Sequence, residues 1–206
     1  DPNKFSKILY KKVKLTVGVP DSLLKHVCNS FEKKFKKKHI VSTNEGSAVA
    51  FAIGHFLSTK SPALVYMQNS GLGNAINPLA SLAHKKVYGI PMILFIGWRG
   101  ELYKDKQIND EPQHLVQGGI TLDQLKLLQI PYKILNPNEK KLDTLIGNLK
   151  DKSIKTKGPV ALIVRKNTFK TQNLTLKIKK QKYLLREEII KLILENIPKN
   201  SVIIST

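Results

Sequence analysis

Ser42-Thr43-Asn44-Glu45-Gly46-Ser47-Ala48-Val49-Ala50-Phe51-Ala52-Ile53-Gly54 follows directly on His39-Ile40-Val41, and the order of residue types across that stretch decides how the chain folds. Ile40-Val41 reads as the end of a short buried strand. Ser42, Thr43 and Asn44 all carry side-chain oxygens that cap a following helix. The run from Ala48 to Ile53, continued by Phe56 and Leu57, predicts a helix that is apolar all round and therefore buried. Glu45 is the one charged residue in the stretch and falls in the first helical turn. There it complements the helix dipole, an effect of a few tenths to about 1 kcal/mol. A second reading is chemical: a carboxylate at the mouth of a buried helix is partly desolvated and inclined to share a proton with a ligand.

The same strand, turn and helix sequence recurs on both sides. Phe5, Ile8 and Leu9 predict a short amphipathic first helix, and Val13 to Val17 a strand ending in the turn Gly18-Val19-Pro20-Asp21-Ser22. Asp21 or Ser22 then caps a helix through Leu24, Val27, Phe31 and Phe35. Ala63 to Met67 reads as a buried strand, Ala75 to Ala83 as a helix with Pro78 in its first turn, and Ile90 to Ile96 as the next strand. A long polar segment from Gly97 to Gln117 reads as a functional loop. Thr121 caps a helix to Leu128, Ile130 to Leu135 is a strand, Leu142 to Leu149 a helix, and Pro159 to Val164 the last strong strand. The fold class is α/β: a parallel sheet of about six strands with helices on both faces, since its strands are continuous apolar runs. Residues 1–168 form this domain. Residues 169–182, rich in lysine, threonine and asparagine, read as a linker. Residues 183–206, a helix followed by the strand Ser201 to Ser205, read as the start of a second, truncated α/β domain.

Composition narrows the function classes. The chain has 206 residues, of which 41% are hydrophobic, and no apolar run approaches the ~18 residues that span a membrane. No export signal is visible at Asp1-Pro2-Asn3-Lys4. The single cysteine, Cys28, excludes an internal disulfide and reads as a buried structural thiol in a reducing cytoplasm. The net charge of +20 raises nucleic acid as a partner. Almost all of that charge is lysine, with arginine at Arg99, Arg165 and Arg186 only, and lysine lacks the planar fork of base and phosphate readers. The charge is therefore read as solvated faces and as a field that draws in a small, multiply charged anion.

Ligands of open parallel sheets bind beyond the carboxyl ends of the strands, and the unusual residues lie there. Asp21 caps a helix or takes part in chemistry. The glycine turn Asn69-Ser70-Gly71-Leu72-Gly73-Asn74 lacks the dinucleotide and P-loop fingerprints; it lets a ring approach the backbone closely, or is turn chemistry alone. Arg99 is suited to a bidentate contact with an anionic substrate. His114, with Gln113 beside it in the long loop, is a candidate for proton transfer. No metal ligands stand out.

In these stretches, Gly18 to Leu24, Asn44-Glu45-Gly46, Ala63 to Asn74, Gly97-Trp98-Arg99-Gly100 and Asp110-Glu111-Pro112-Gln113-His114, the chain resembles the N-terminal, pyrimidine-binding half of the phosphonopyruvate decarboxylases. The resemblance implies a thiamine diphosphate fold and decarboxylation of 3-phosphonopyruvate to phosphonoacetaldehyde. It implies that Glu45 contacts N1′ of the cofactor's aminopyrimidine, that Asp21 and His114 are catalytic, and that Asn69, Ser70, Gly71, Gly73 and Asn74 line the cofactor. Arg99, Gln113 and His114 then meet an anionic 2-oxo acid. A homo-oligomer, at least a dimer, is also implied, with Mg2+ held by a C-terminal half of which this chain would be the N-terminal fragment. No Gly-Asp-Gly followed at a distance by asparagine occurs in the sequence. The stretch from Glu101 to Asn109 is longer than the usual connection. A sulfopyruvate decarboxylase subunit and a non-catalytic binding module of the same fold are the alternatives.

Overall fold

The computed structural model describes residues 1–103, 106–170 and 184–203. Strands β1 (Thr16–Gly18), β2 (His39–Val41), β3 (Ala63–Gln68) and β4 (Met92–Gly97) are followed by a hairpin, β5 (Leu102–Tyr103) with β6 (Lys106–Gln107). Then come β7 (Tyr132–Leu135) and β8 (Pro159–Val164). The helices are α1 (Pro2–Lys12), α2 (Lys25–Phe35), α3 (Glu45–Thr59), α4 (Leu72–Pro78), α5 (Pro112–Leu127), α6 (Leu142–Thr156) and α7 (Arg186–Asn196). Six strands pair in the order β2-β1-β3-β4-β8-β7, every pair parallel. β5 and β6 pair with each other, antiparallel.

β4 and β8 are buried at every residue and β3 at all but Gln68, which is why they appear in the sequence as unbroken apolar runs. Side chains alternate between two cores. Val65 and Met67 of β3 pack with Ala48, Val49, Leu72, Ala75 and Leu125, from α3, α4 and α5. Leu64 and Tyr66 pack with Phe5, Leu9, Phe31 and Leu149, from α1, α2 and α6. In the second core the rings of Phe5 and Phe95 stack with centroids 5.2 Å apart. Cys28 is buried in that core, where desolvation, helped by the charge of Asp21, pushes its thiol up to about 12 and makes it inert.

The predicted α/β sheet is therefore present, with corrections in particular elements. α3 is not buried all round: Glu45, Ala48, Val49 and Ala52 face inward, while Phe51 and Leu57 are 50% and 55% exposed. The polar segment read as a loop to Gln117 contains the hairpin, and α5 starts at Pro112, in the first-turn position that tolerates proline. Thr121, read as a cap, is buried in mid-helix and its hydroxyl donates to the Gln117 carbonyl. α4 starts at Leu72, and Pro78 ends it; a proline has no N–H for the carbonyl one turn back, and a π turn, Leu79–Ala83, follows. Ser201 to Ile203 form no strand; the rest of that predicted strand and nearly all of the predicted linker lie outside the described residues.

The chain divides into two compact units, 1–171 and 172–206. In the second, Glu188 accepts from the Leu185 N–H at 2.7 Å, capping α7.

Candidate active site

Because all six strands of the large sheet are parallel, their carboxyl ends share one rim. β1 delivers Asp21 to it, β2 delivers Glu45, β3 delivers Asn69, and β4 delivers Arg99. Each sits at a strand-to-helix or strand-to-loop turn, so short connections, not long side chains, bring them near one another.

Glu45 opens α3. Asn44 caps the helix by accepting the Ser47 N–H at 2.8 Å. The Glu45 side chain is nearly buried, at 9% exposure, and its Oε2 accepts from Asn74 Nδ2 at 2.8 Å. Oε1 lies against Gly71, where any Cβ would overlap the carboxylate. The glycine turn of the sequence is thus a close approach to Glu45. It is a single 3-10 turn, Asn69–Gly71, running straight into α4. Gly73 faces open space, and the Ser70 hydroxyl accepts from Gln68 Nε2 at 2.7 Å.

Asn69 is fully buried. Its Nδ2 donates to the Arg99 carbonyl at 3.1 Å and to Thr121 Oγ1 at 2.9 Å, and its Oδ1 accepts the Arg99 N–H at 3.0 Å. With donors and acceptor engaged inside the chain, the side chain clamps the β4 turn to α5.

Arg99 differs from expectation. Its Nε and Nη2 grip Asp110 at 2.8 and 2.5 Å, so the fork predicted for an anionic substrate is already occupied. Nη1 alone points elsewhere, to Ser22 Oγ at 3.3 Å. Asp110 also accepts the Gly100 and Glu111 N–H groups, and the guanidinium with these donors holds its carboxyl far below the usual carboxylate range. Nothing in the sequence pairs Asp110 with Arg99, because the contact depends on the hairpin folding the chain back over eleven residues. His114 stands in the first turn of α5, with Nε2 3.7 Å from Glu111 and Nδ1 buried without a hydrogen-bond partner. Gln113 is exposed and donates to Glu111 at 2.8 Å.

Asp21 is 7% exposed. Its Oδ2 accepts the Leu24 N–H at 3.2 Å and lies against Gly97, while Oδ1 is buried without a partner. Burial pushes its carboxyl up, against the opposing pull of backbone N–H groups and of Arg99. An acid with a raised pKa holds its proton more tightly folded than unfolded. Stability therefore falls as pH rises from about 4 through the raised pKa. Asp21→Asn is expected to raise the melting temperature at pH 7 by roughly 2–4 °C, the shift that about 1 kcal/mol gives at this size. The gain is expected to vanish below about pH 4, which melting curves across pH check.

Residues 5–127 match the family described as thiamine pyrophosphate enzyme, N-terminal TPP binding domain. The chain belongs to this family. It is 35% identical over 161 residues to the sulfopyruvate decarboxylase subunit alpha of Methanococcus maripaludis, covering 78% of this chain and 90% of that one. It is 35% identical over 132 residues to the phosphonopyruvate decarboxylase of Streptomyces viridochromogenes, covering 64% of this chain and 32% of that one. It thus spans about a third of the latter's length. Among solved structures, benzoylformate decarboxylase from Polynucleobacter necessarius superimposes with a TM-score of 0.60 at 18% identity, over 87% of this chain and 32% of that one, a likeness of fold.

The residues present fit the pyrimidine end of thiamine pyrophosphate. Glu45 is buried, Asn74 fixes one of its oxygens, and the other can accept a further donor. For the diphosphate end they do not provide a metal site: among the described residues no group of three or more His, Cys, Asp or Glu could hold an ion. Among the same residues no helix is long and apolar enough to cross a membrane.

Proposed function

We propose that this chain is the pyrimidine-binding part of a thiamine diphosphate-dependent decarboxylase that converts 3-phosphonopyruvate to phosphonoacetaldehyde and carbon dioxide. The observation that carries the reading is Glu45, a nearly buried carboxylate held by Asn74 against Gly71 on the carboxyl rim of the sheet. When bound, the cofactor supplies the electron sink into which the bond to the departing carbon dioxide empties. Glu45 holds and shares a proton at the pyrimidine nitrogen through Oε1, while Asn74 stops the carboxylate from turning away. Asp21, with an elevated proton affinity and one unpartnered oxygen, is placed to hold or release a proton, and His114 is the second candidate for that task. Arg99 meets the substrate anion through Nη1 alone.

The accompanying Mg2+ is bound, in this reading, by residues other than the described ones. The exposed apolar side chains of α3, Phe51 and Leu57, support an oligomer of at least two copies, and the buried, inert Cys28 is consistent with a cytoplasmic setting. A second reading, the alpha subunit of a sulfopyruvate decarboxylase, is favoured by the breadth of the match to that subunit, 78% of this chain. Measuring carbon dioxide release by the complete enzyme from 3-phosphonopyruvate, sulfopyruvate and pyruvate separates the two. Turnover of the phosphonate above both others is expected, and no release from any of the three would remove the decarboxylase reading.

The glycine against Glu45 gives a further expectation. Gly71→Ala should displace the carboxylate and reduce turnover by roughly 100-fold, as a misplacement of about 1 Å does, with an unchanged circular dichroism spectrum.

A further inference from the structure

A second concave site lies on the same rim, on the α2 side. It is a cleft of about 330 Å³ between the β1–α2 turn, the end of β4 and the segment after β8, lined by Ser22, His26, Arg99, Lys166, Asn167 and an apolar wall that includes Phe169. The volume is at the lower end of small-molecule sites. No carboxylate is among its lining residues.

The cleft is built on fixed parts. Phe169 is packed edge-on against Phe5 at 5.2 Å and lies 6.1 Å from Phe95, so the wall is continuous with the core. Asp110 grips Arg99 from one side, which directs the remaining nitrogen, Nη1, toward Ser22 Oγ at 3.3 Å. Lys166 is placed by its backbone, whose N–H donates to the buried Glu101 at 3.2 Å. The next residue, Asn167, turns the chain with a φ of 62°, a conformation asparagine tolerates, and the Thr168 N–H closes that turn on the Arg165 carbonyl. Asp110 and Asp21 offset the charge of Arg99, and Glu101 acts on Lys166, so the cleft offers an anion its hydrogen-bond donors more than a net positive charge. Guanidinium, ammonium, imidazole, hydroxyl and amide around one small volume are donors, and together they suit a tetrahedral oxyanion.

The cleft also shares its frame with Glu45. Ser22 is bonded to Asp21, and both backbone groups of Arg99 are held by Asn69, two residues before the Gly71 that abuts Glu45.

We propose that this cleft, through Ser22, His26, Arg99 Nη1 and Lys166, binds the tetrahedral oxyanion end, phosphonate or sulfonate, of the 2-oxo acid substrate. The inference rests on the decarboxylase reading for its substrate, but Glu45 is not among the residues that line the cleft. It names His26 and Lys166 as specificity-determining residues of the reaction.

The test is an NMR titration of the 206-residue chain, isotopically labelled, with methylphosphonate and with methanesulfonate. Shifts are expected at Ser22, His26, the Arg99 side chain and Lys166, and Lys166→Ala and His26→Ala should each weaken binding at least five-fold. Lys155→Ala, on the exposed face of α6, should leave it unchanged. Tighter binding of methylphosphonate assigns the cleft to a phosphonate, and tighter binding of methanesulfonate to a sulfonate; either supports it. Absent shifts, shifts scattered over surface lysines, or wild-type binding by Lys166→Ala would overturn it. Glu45→Gln should bind the anion as wild type does. Anion binding in the cleft without decarboxylation by the complete enzyme therefore removes only the decarboxylase reading, and decarboxylation with a silent cleft removes only this one.

Discussion

Replacing Glu45 with glutamine is expected to reduce decarboxylation by the complete enzyme by about 10²–10⁴-fold, the range over which a positioned proton-transfer group contributes, while the chain stays folded. The two side chains have nearly the same shape, and glutamine at the first turn of α3 still allows Asn44 to cap the helix through the Ser47 N–H. Asn74 Nδ2 keeps an acceptor as well, because the amide oxygen replaces Oε2. What changes is the ability to hold a proton at Oε1. Stability should shift by less than about 1 kcal/mol, since no buried group loses its partner. Turnover assays beside a thermal melt separate the two effects, and equal losses of activity and of folded protein would assign Glu45 a structural role.

Gly118→Ala should be among the most damaging single methyl additions in the described chain. α5 crosses the turn after β4 so closely that neither Gly100 nor Gly118 has room for a Cβ. A Cβ on Gly118 would overlap the Gly100 carbonyl and the Arg99 carbonyl oxygen, and Gly100 itself has a φ of 61°. Trp98 Nε1 donates to the Gly118 carbonyl at 2.9 Å in the same place. Backbone atoms cannot rotate aside as a side chain can, so the helix has to lift. Overpacking of this kind costs about 3 kcal/mol, equivalent to a fall of roughly 6–12 °C in melting temperature for a chain of this size. Lifting α5 also moves Thr121 away from Asn69 and loosens the clamp on Arg99, so substrate affinity should fall before the fold is lost. Differential scanning calorimetry, with anion binding followed in parallel, checks both parts.

The elements that could be read from the sequence are those whose residues see one kind of surroundings. β3, β4 and β8 are covered on both faces and appear as unbroken apolar runs; the Asn44-Glu45 cap works through residues three apart. α5 was half-hidden because its inward face consists of Gly118, Thr121 and Leu125, too small and polar a stripe to show helical period, and its first turn, Pro112-Gln113-His114, looks like a loop. α3 misleads for the opposite reason. An all-apolar helix suggests complete burial, but in the described chain only one side of it meets the sheet, and nothing local in the sequence distinguishes core from outer face. Among site residues, Glu45 and Asp21 stood out as isolated carboxylates next to turns. Asn69 and Arg99 have side chains that suit ligands, and nothing local in the sequence shows what they pair with inside the fold. Their actual partners, Thr121 and Asp110, lie 52 and 11 residues away, distances over which only the folded chain reveals a pairing. His26 and Lys166 were hidden among the many lysines and helix-face polar residues.

The central claim is that Glu45 is the group that manages the proton of bound thiamine diphosphate. The exchange rate of the cofactor's C2 proton, measured by NMR on the complete enzyme after dilution into deuterated buffer, tests it without relying on turnover of any substrate. A rate at least about 100-fold lower in Glu45→Gln than in wild type is expected, with cofactor still bound; an unchanged rate in the cofactor-loaded variant would contradict the account.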